Sequence, residues 1–92
     1  MKKKVFLFGN GNCPDCVLMK QALDAEQISY SYIDIMDSLG KLKMFLKHRD
    51  SLPAFEGVRQ AGSVGIPFLL VNDGEWISLD PPSPALIARL KA

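Results

Sequence analysis

The chain has 92 residues, 48% of them hydrophobic, enough to close one small core and too few for a second, so residues 1–92 are expected to form a single domain. Eleven basic side chains against ten acidic ones leave a net charge of +1, which offers no broad field to nucleic acid or to a strongly acidic partner. Only four apolar residues separate Lys2-Lys3-Lys4 from Gly9, short of a signal peptide's apolar region and of the ~20 a membrane span needs, so the lysines read as a solvated lead-in to a cytoplasmic protein, which is expected to be a monomer.

The run Val5-Phe6-Leu7-Phe8 has no polar member, as in a strand covered on both faces, and Gly9-Asn10-Gly11-Asn12 supplies turn residues. Pro14 suits the first turn of a helix, where its missing N–H would have had no partner, and Val17, Leu18, Ala22 and Leu23 give that helix an apolar stripe. Ile28-Ser29-Tyr30-Ser31-Tyr32-Ile33 then alternates with the period of a half-covered strand. A helical crossover of this length makes the two strands parallel and right-handed.

Ser38 is an N-cap for a second helix in which Leu39, Leu42, Phe45 and Leu46 recur at helical spacing, ending near Arg49. Pro53 opens a shorter helix, with Ala54, Val58 and Ala61 on one face and Gly62 as its stop. Phe68–Val71, the turn Asn72-Asp73-Gly74 and Glu75-Trp76-Ile77 predict an antiparallel hairpin. Ser83 and Pro84 start a last helix whose stripe is Leu86, Ile87 and Leu90. The order is βαβ, two helices, then ββα.

Cys13 and Cys16, the only cysteines, fall on the first turn of the first helix, and a spacing of three puts them on one helix face within reach of a disulfide. The helix N-terminus favours a thiolate, which makes Cys13 the candidate nucleophile and Cys16, further inward, the thiol that resolves its mixed disulfide. A buried pair of free thiols, a structural disulfide and half of a metal site are the alternatives. A reducing cytosol disfavours the structural disulfide. A closed zinc site wants four ligands, and the one histidine, His48, has no ligand-like spacing to the cysteines.

Outside this pair the candidates are weaker. Gly9-Asn10-Gly11 begins like a dinucleotide loop, but Pro14 stands where the third glycine should be. His48, Lys47, Arg49 and Arg59 read as solvated or capping side chains on helix faces.

A C-x-x-C at a strand-to-helix junction in a βαβ frame, with Gly65-Ile66-Pro67 ahead of a hairpin and a last helix, resembles the glutaredoxin branch of the thioredoxin superfamily over nearly the whole chain. The resemblance implies an α/β, thioredoxin-like fold around a four-stranded mixed sheet, with one or two extra helices in the middle. It implies a thiol-disulfide oxidoreductase that uses Cys13-Pro14-Asp15-Cys16 to reduce protein or glutathione mixed disulfides. Such an enzyme has no tightly bound cofactor and is re-reduced by glutathione or a flavoprotein reductase. It also implies a cis Ile66–Pro67 bond beside the cysteines, with the main chain of Ile66 offered to an extended thiol substrate. Pro14, Asp15, Ile66, Pro67 and Asp80 are the substrate-binding positions carried over.

Three departures from the family's pattern stand out. Asn10, Gly11 and Asn12 occupy the stretch where a lysine often precedes the first cysteine, and Asp15, whose charge opposes a neighbouring thiolate, replaces a frequent tyrosine. The Gly-Gly-x-Asp-Asp type segment that receives glutathione becomes Ser78-Leu79-Asp80-Pro81-Pro82, in which Asp80 alone resembles it and two prolines remove backbone donors. Two rival functions follow. One is a binding module that holds a dimer-bridging iron–sulfur cluster or zinc through Cys13. The other is a redox-fold domain that binds a partner without turnover.

Overall fold

The structure, a computed structural model, describes residues 3–92; Met1 and Lys2, the head of the lysine lead-in, lie outside the described residues. Strand β1 (Val5–Gly9) is followed by helix α1 (Pro14–Ala25), strand β2 (Ser31–Asp34) and helix α2 (Leu39–Ser51). A 3-10 turn (Pro53–Phe55) runs into helix α3 (Glu56–Ala61), and strand β3 (Phe68–Val71), strand β4 (Trp76–Ser78) and helix α4 (Pro84–Lys91) complete the chain. The sheet order is β2-β1-β3-β4, with β1 parallel to β2 and antiparallel to β3, and β3 antiparallel to β4. This is the mixed four-stranded, thioredoxin-like arrangement expected. Among the described residues no helix is long and apolar enough to cross a membrane.

The sheet is filled on both faces, by different side chains. Beneath α1 and α4 lie Val5, Leu7, Met19, Leu23, Leu69, Val71, Leu86 and Leu90. The opposite face carries Phe8, Ile33, Ile35, Phe45, Phe55 and Phe68, whose rings meet at centroid distances such as 5.0 Å for Phe55–Phe68 and 5.3 Å for Phe8–Phe68.

Several elements differ in phase from their sequence patterns. The buried face of α1 is Cys16, Met19 and Leu23, while Val17 and Leu18 are exposed, because the turn before Cys13 fixes the helix rotation. Strand β2 begins only at Ser31. Gln27 adopts φ 56°, and the amides of Gln27 and Ile28 donate to the carbonyls of Asp24 and Leu23, so the stretch before the strand closes off α1. Both faces of β2 are covered, since Tyr32 packs on the aliphatic core and Ile33 on the aromatic one. Helix α2 runs two residues beyond Arg49. In the next segment Ala54 and Ala61 are exposed and Phe55 is the buried anchor. Glu75 belongs to the turn, and β4 starts at Trp76. Lys3 is not merely solvated, for its ammonium donates to the Arg89 carbonyl at 2.7 Å.

Candidate active site

Register sets the site. Gly9, the last residue of β1, pairs with Asp34 on β2, and Phe8 beside it pairs with Phe68, the residue after Pro67. The turn leaving β1 therefore emerges next to the loop entering β3, and those two segments carry the cysteines and Ile66-Pro67.

Cys13 is the N-cap residue of α1, in extended geometry, and its Sγ accepts the amide of Cys16 at 3.4 Å. A sulfur thus fills the place that a Ser or Asp oxygen usually takes at a helix start. The same Sγ lies 3.9 Å from the carbonyl oxygen of Ile66, across a sequence gap of 53 residues, and the Ile66–Pro67 bond is cis. Both cysteines are free thiols. Cys13 is partly exposed, whereas Cys16 is 0% exposed.

Cys16 faces β1 through a gap that only glycine leaves. A Cβ on Gly9 would stand 3.0 Å from the Cys16 sulfur, tighter than ordinary contact. Burial pushes the Cys16 thiol up to about 12, with its hydrogen bond to Cys13 and the like charge of Cys13 and Asp15 adding to the effect. The two sulfurs, one turn apart, therefore differ in access, the inner one buried and the outer one partly exposed.

The turn that presents Cys13 is held from β2. The side-chain amide of Asn10 donates to Asp34 Oδ1 at 3.0 Å, its Oδ1 accepts the amide of Asn12 at 2.9 Å, and its carbonyl accepts the amide of Cys13 at 3.0 Å. Asp34 Oδ1 also accepts the amide of Met36 at 2.9 Å. These two donors, Asn10 first, hold the Asp34 carboxyl below the usual carboxylate range. Neither residue stood out from the sequence, although Asn two residues before another Asn in a glycine turn is a local signal for this kind of backbone bond.

The facing loop, Gly62–Ile66, is held by Arg49, and Arg59 ties the end of the helix that carries Arg49. Arg49 donates through Nε to the Val64 carbonyl at 2.9 Å and through Nη2 to the Ser63 carbonyl at 2.6 Å, while its Nη1 lies 3.4 Å from Asp50. Arg59 donates to the carbonyls of Arg49 at 2.6 Å and Leu52 at 3.0 Å. Both were expected to solvate the surface, and both instead tie backbone carbonyls, Arg49 those of the facing loop and Arg59 those at the end of α2. Gly65 completes the loop at φ 99°, and a Cβ there would lie 2.9 Å from the Phe55 ring. His48 is likewise more than a charged helix end, for its ring packs 5.9 Å from Phe8 and 5.6 Å from Phe68.

Between the two segments runs a groove of about 570 Å³ with Cys13 at its rim, floored by Leu42, Phe45 and Leu46 of α2. Of the other expected residues, Pro14 and Asp15 are exposed on the first turn of α1 and Pro67 is buried at the head of β3. Asp80 lines a separate cavity of about 220 Å³ with Trp76 and Arg89, and its amide donates to Ser78 Oγ at 3.1 Å. Trp76 lies under the Arg89 guanidinium, 4.0 Å from the ring centroid, and does not border the Cys13 groove. Among the described residues no three His, Cys, Asp or Glu side chains converge on a possible metal position.

No solved structure matches the chain. An uncharacterized protein of Haemophilus influenzae is 38% identical over 74 residues, covering 80% of this chain and 86% of that protein. The family model described as Glutaredoxin matches residues 5–76 and so takes in both cysteines, the arginine-tied loop and Ile66-Pro67 while stopping short of Asp80. With that match spanning the same frame that the sheet register builds, the chain belongs to the glutaredoxin family.

Proposed function

We propose that this chain is a dithiol oxidoreductase of the cytoplasm that reduces disulfides through Cys13 and Cys16. The observation that carries this reading is the asymmetry of the pair: a partly exposed Cys13 sulfur between the Cys16 amide and the Ile66 carbonyl, above a fully buried Cys16. Cys13, as thiolate, attacks one sulfur of a substrate disulfide; that S–S bond breaks, the mixed disulfide forms, and the departing thiolate takes a proton from water. Cys16 then loses its proton and attacks Cys13, so that the Cys13–Cys16 disulfide forms and the second substrate thiol leaves. The substrate gains two electrons and the protein's dithiol gives them up.

The environment of Cys16 suits this order. Its raised pKa of about 12 keeps it a thiol while Cys13 reacts. Once Cys13 is in a mixed disulfide its sulfur carries no charge to oppose ionisation of Cys16. Cys16, buried directly behind Cys13, is then placed to attack it.

Glutathione or a flavoprotein reductase then returns the disulfide to the dithiol. Reduction of insulin or of a small mixed disulfide by the wild type should be lost in Cys13→Ser, and a Cys13→Ser variant indistinguishable from wild type would sink the reading. Reducing the oxidised protein separately with glutathione and with a thioredoxin reductase system, and comparing the rates, identifies the electron source.

A further inference from the structure

The groove beside Cys13 is almost without charge, and its one cation is already committed. Arg49 is the single charged residue among the described lining, and its three nitrogens face the Val64 carbonyl, the Ser63 carbonyl and the Asp50 carboxylate. The upper walls are apolar and lack a partner within the chain: Met36 is 70% exposed and Val64 52%. The volume of about 570 Å³ falls in the range of roughly 300–1,000 Å³ that sites for small ligands occupy.

We propose that this groove selects a disulfide whose cysteine lies in an extended peptide segment with uncharged, apolar neighbours, in preference to glutathione. The inference rests on Cys13 being the attacking thiol, as proposed above. An extended segment laid along the main chain of Ile66 points alternate side chains to opposite sides, so a residue next to its cysteine enters the groove between Met36 and Val64. An apolar side chain there leaves water for apolar walls. Glutathione brings two carboxylates and a net negative charge to a lining whose only guanidinium is hydrogen-bonded elsewhere, and an unpaired carboxylate loses hydration without compensation. Toward the other side of the site, Pro81 and Pro82 carry no N–H, and Asp80, an acid, sits in its own cavity away from Cys13. Among the described lining, these segments offer the carboxylates of glutathione no uncommitted cation.

The exchange step conserves atoms and oxidation state. The thiolate of the incoming peptide attacks the Cys13 sulfur of a Cys13–glutathione disulfide, the Cys13–peptide disulfide forms, and glutathione leaves as the thiol. The test starts from Cys16→Ser protein, in which Cys13 is the one cysteine, already carried as its Cys13–glutathione disulfide, and equilibrates it with equimolar reduced glutathione and a blocked pentapeptide bearing a cysteine thiol between valine and leucine. The two adducts are counted by mass spectrometry and normalised to the same exchange on N-acetylcysteine amide.

The peptide adduct is expected to exceed the glutathione adduct by about tenfold or more. A peptide with aspartates flanking its cysteine should lose that advantage, and the advantage should fall toward unity in Val64→Asp and Met36→Glu, two exposed sites that a charge can occupy without unfolding the chain. Equal partition, an excess of glutathione adduct, or indifference to both groove substitutions overturns the proposal. Wild-type protein that turns over disulfides with no flank preference removes this inference alone. Wild-type protein that turns over none removes the oxidoreductase reading, whatever Cys13 partitions with.

Discussion

On the α1/α4 side of the sheet the buried core residues are aliphatic, from Val5 and Leu7 to Leu86 and Leu90, and the cover is two helices of 12 and eight residues. On the α2/α3 side four phenylalanines fill most of the space, and the cover is broken into α2, a 3-10 turn, the six-residue α3 and the loop to Ile66. A continuous helix satisfies its own backbone and asks only for an apolar face to lie on. A cover made of short pieces exposes carbonyls at every break, and here Arg49 and Arg59 supply the donors while wide rigid rings bridge the gaps. The groove opens along that broken side, and Cys13 belongs to the continuous one.

The strongest way to break this contrast is to remove one ring. Phe55→Ala should cost about 3–5 kcal/mol in urea unfolding and, because Phe55 underlies Gly65, should also shift the amide resonances of residues 62–66. Leu90→Ala on the aliphatic side should cost about 2–5 kcal/mol and leave those resonances in place. Equal disturbance of the loop by both variants would mean that the two sides are not separate.

Next in size is the guanidinium clamp. Arg49→Met should cost about 1.5–3 kcal/mol and raise hydrogen exchange between Gly62 and Ile66, while the amides of α1 keep their protection. If exchange in that loop is unchanged, its carbonyls do not depend on Arg49.

The continuous side has its own weak point in Cys16. Its thiol ionises near 9.0 in the unfolded chain and near 12 when folded, so between those values the unfolded state has lost a proton that the folded state keeps. Raising the pH through that window therefore favours unfolding; the contribution is fully present below about 9 and drains away toward 12. The reduced protein should lose about 1 kcal/mol by about pH 10, and Cys16→Ser should remove that slope. The smallest effect expected is from Asn10→Ala, about 0.5–1.5 kcal/mol, read more clearly in a changed environment of the Cys13 amide.

What the sequence made legible divides along the same line. Periodicity and helix starts located β1, α1, the hairpin and α4, because each rests on a local rule that needs no distant partner, as Pro14, Ser38 and Ser83 illustrate. The pairing of Cys13 with Ile66 was reachable through the family's motif. It has no local signature, since 53 residues separate the two. Arg49 and Arg59 read as surface charge because a side chain that bonds backbone carbonyls 7 to 15 residues away leaves no periodic trace. The inward placement of Cys16 and Leu23 was legible, but Val17 and Leu18 look like core, and only the turn that fixes Cys13 as N-cap turns Met19 inward in their place.

Asn10 links Asp34 on β2, an outer strand of the sheet, to the backbone of Asn12 and Cys13. The sulfur is thus moored to the sheet by a tether that does not run through the body of α1. The far end of that helix is held separately, by the pairing of Glu26 with Lys91 at the end of α4, so fraying there is expected to leave the hydrogen bonds of Asn10 to the Cys13 turn in place.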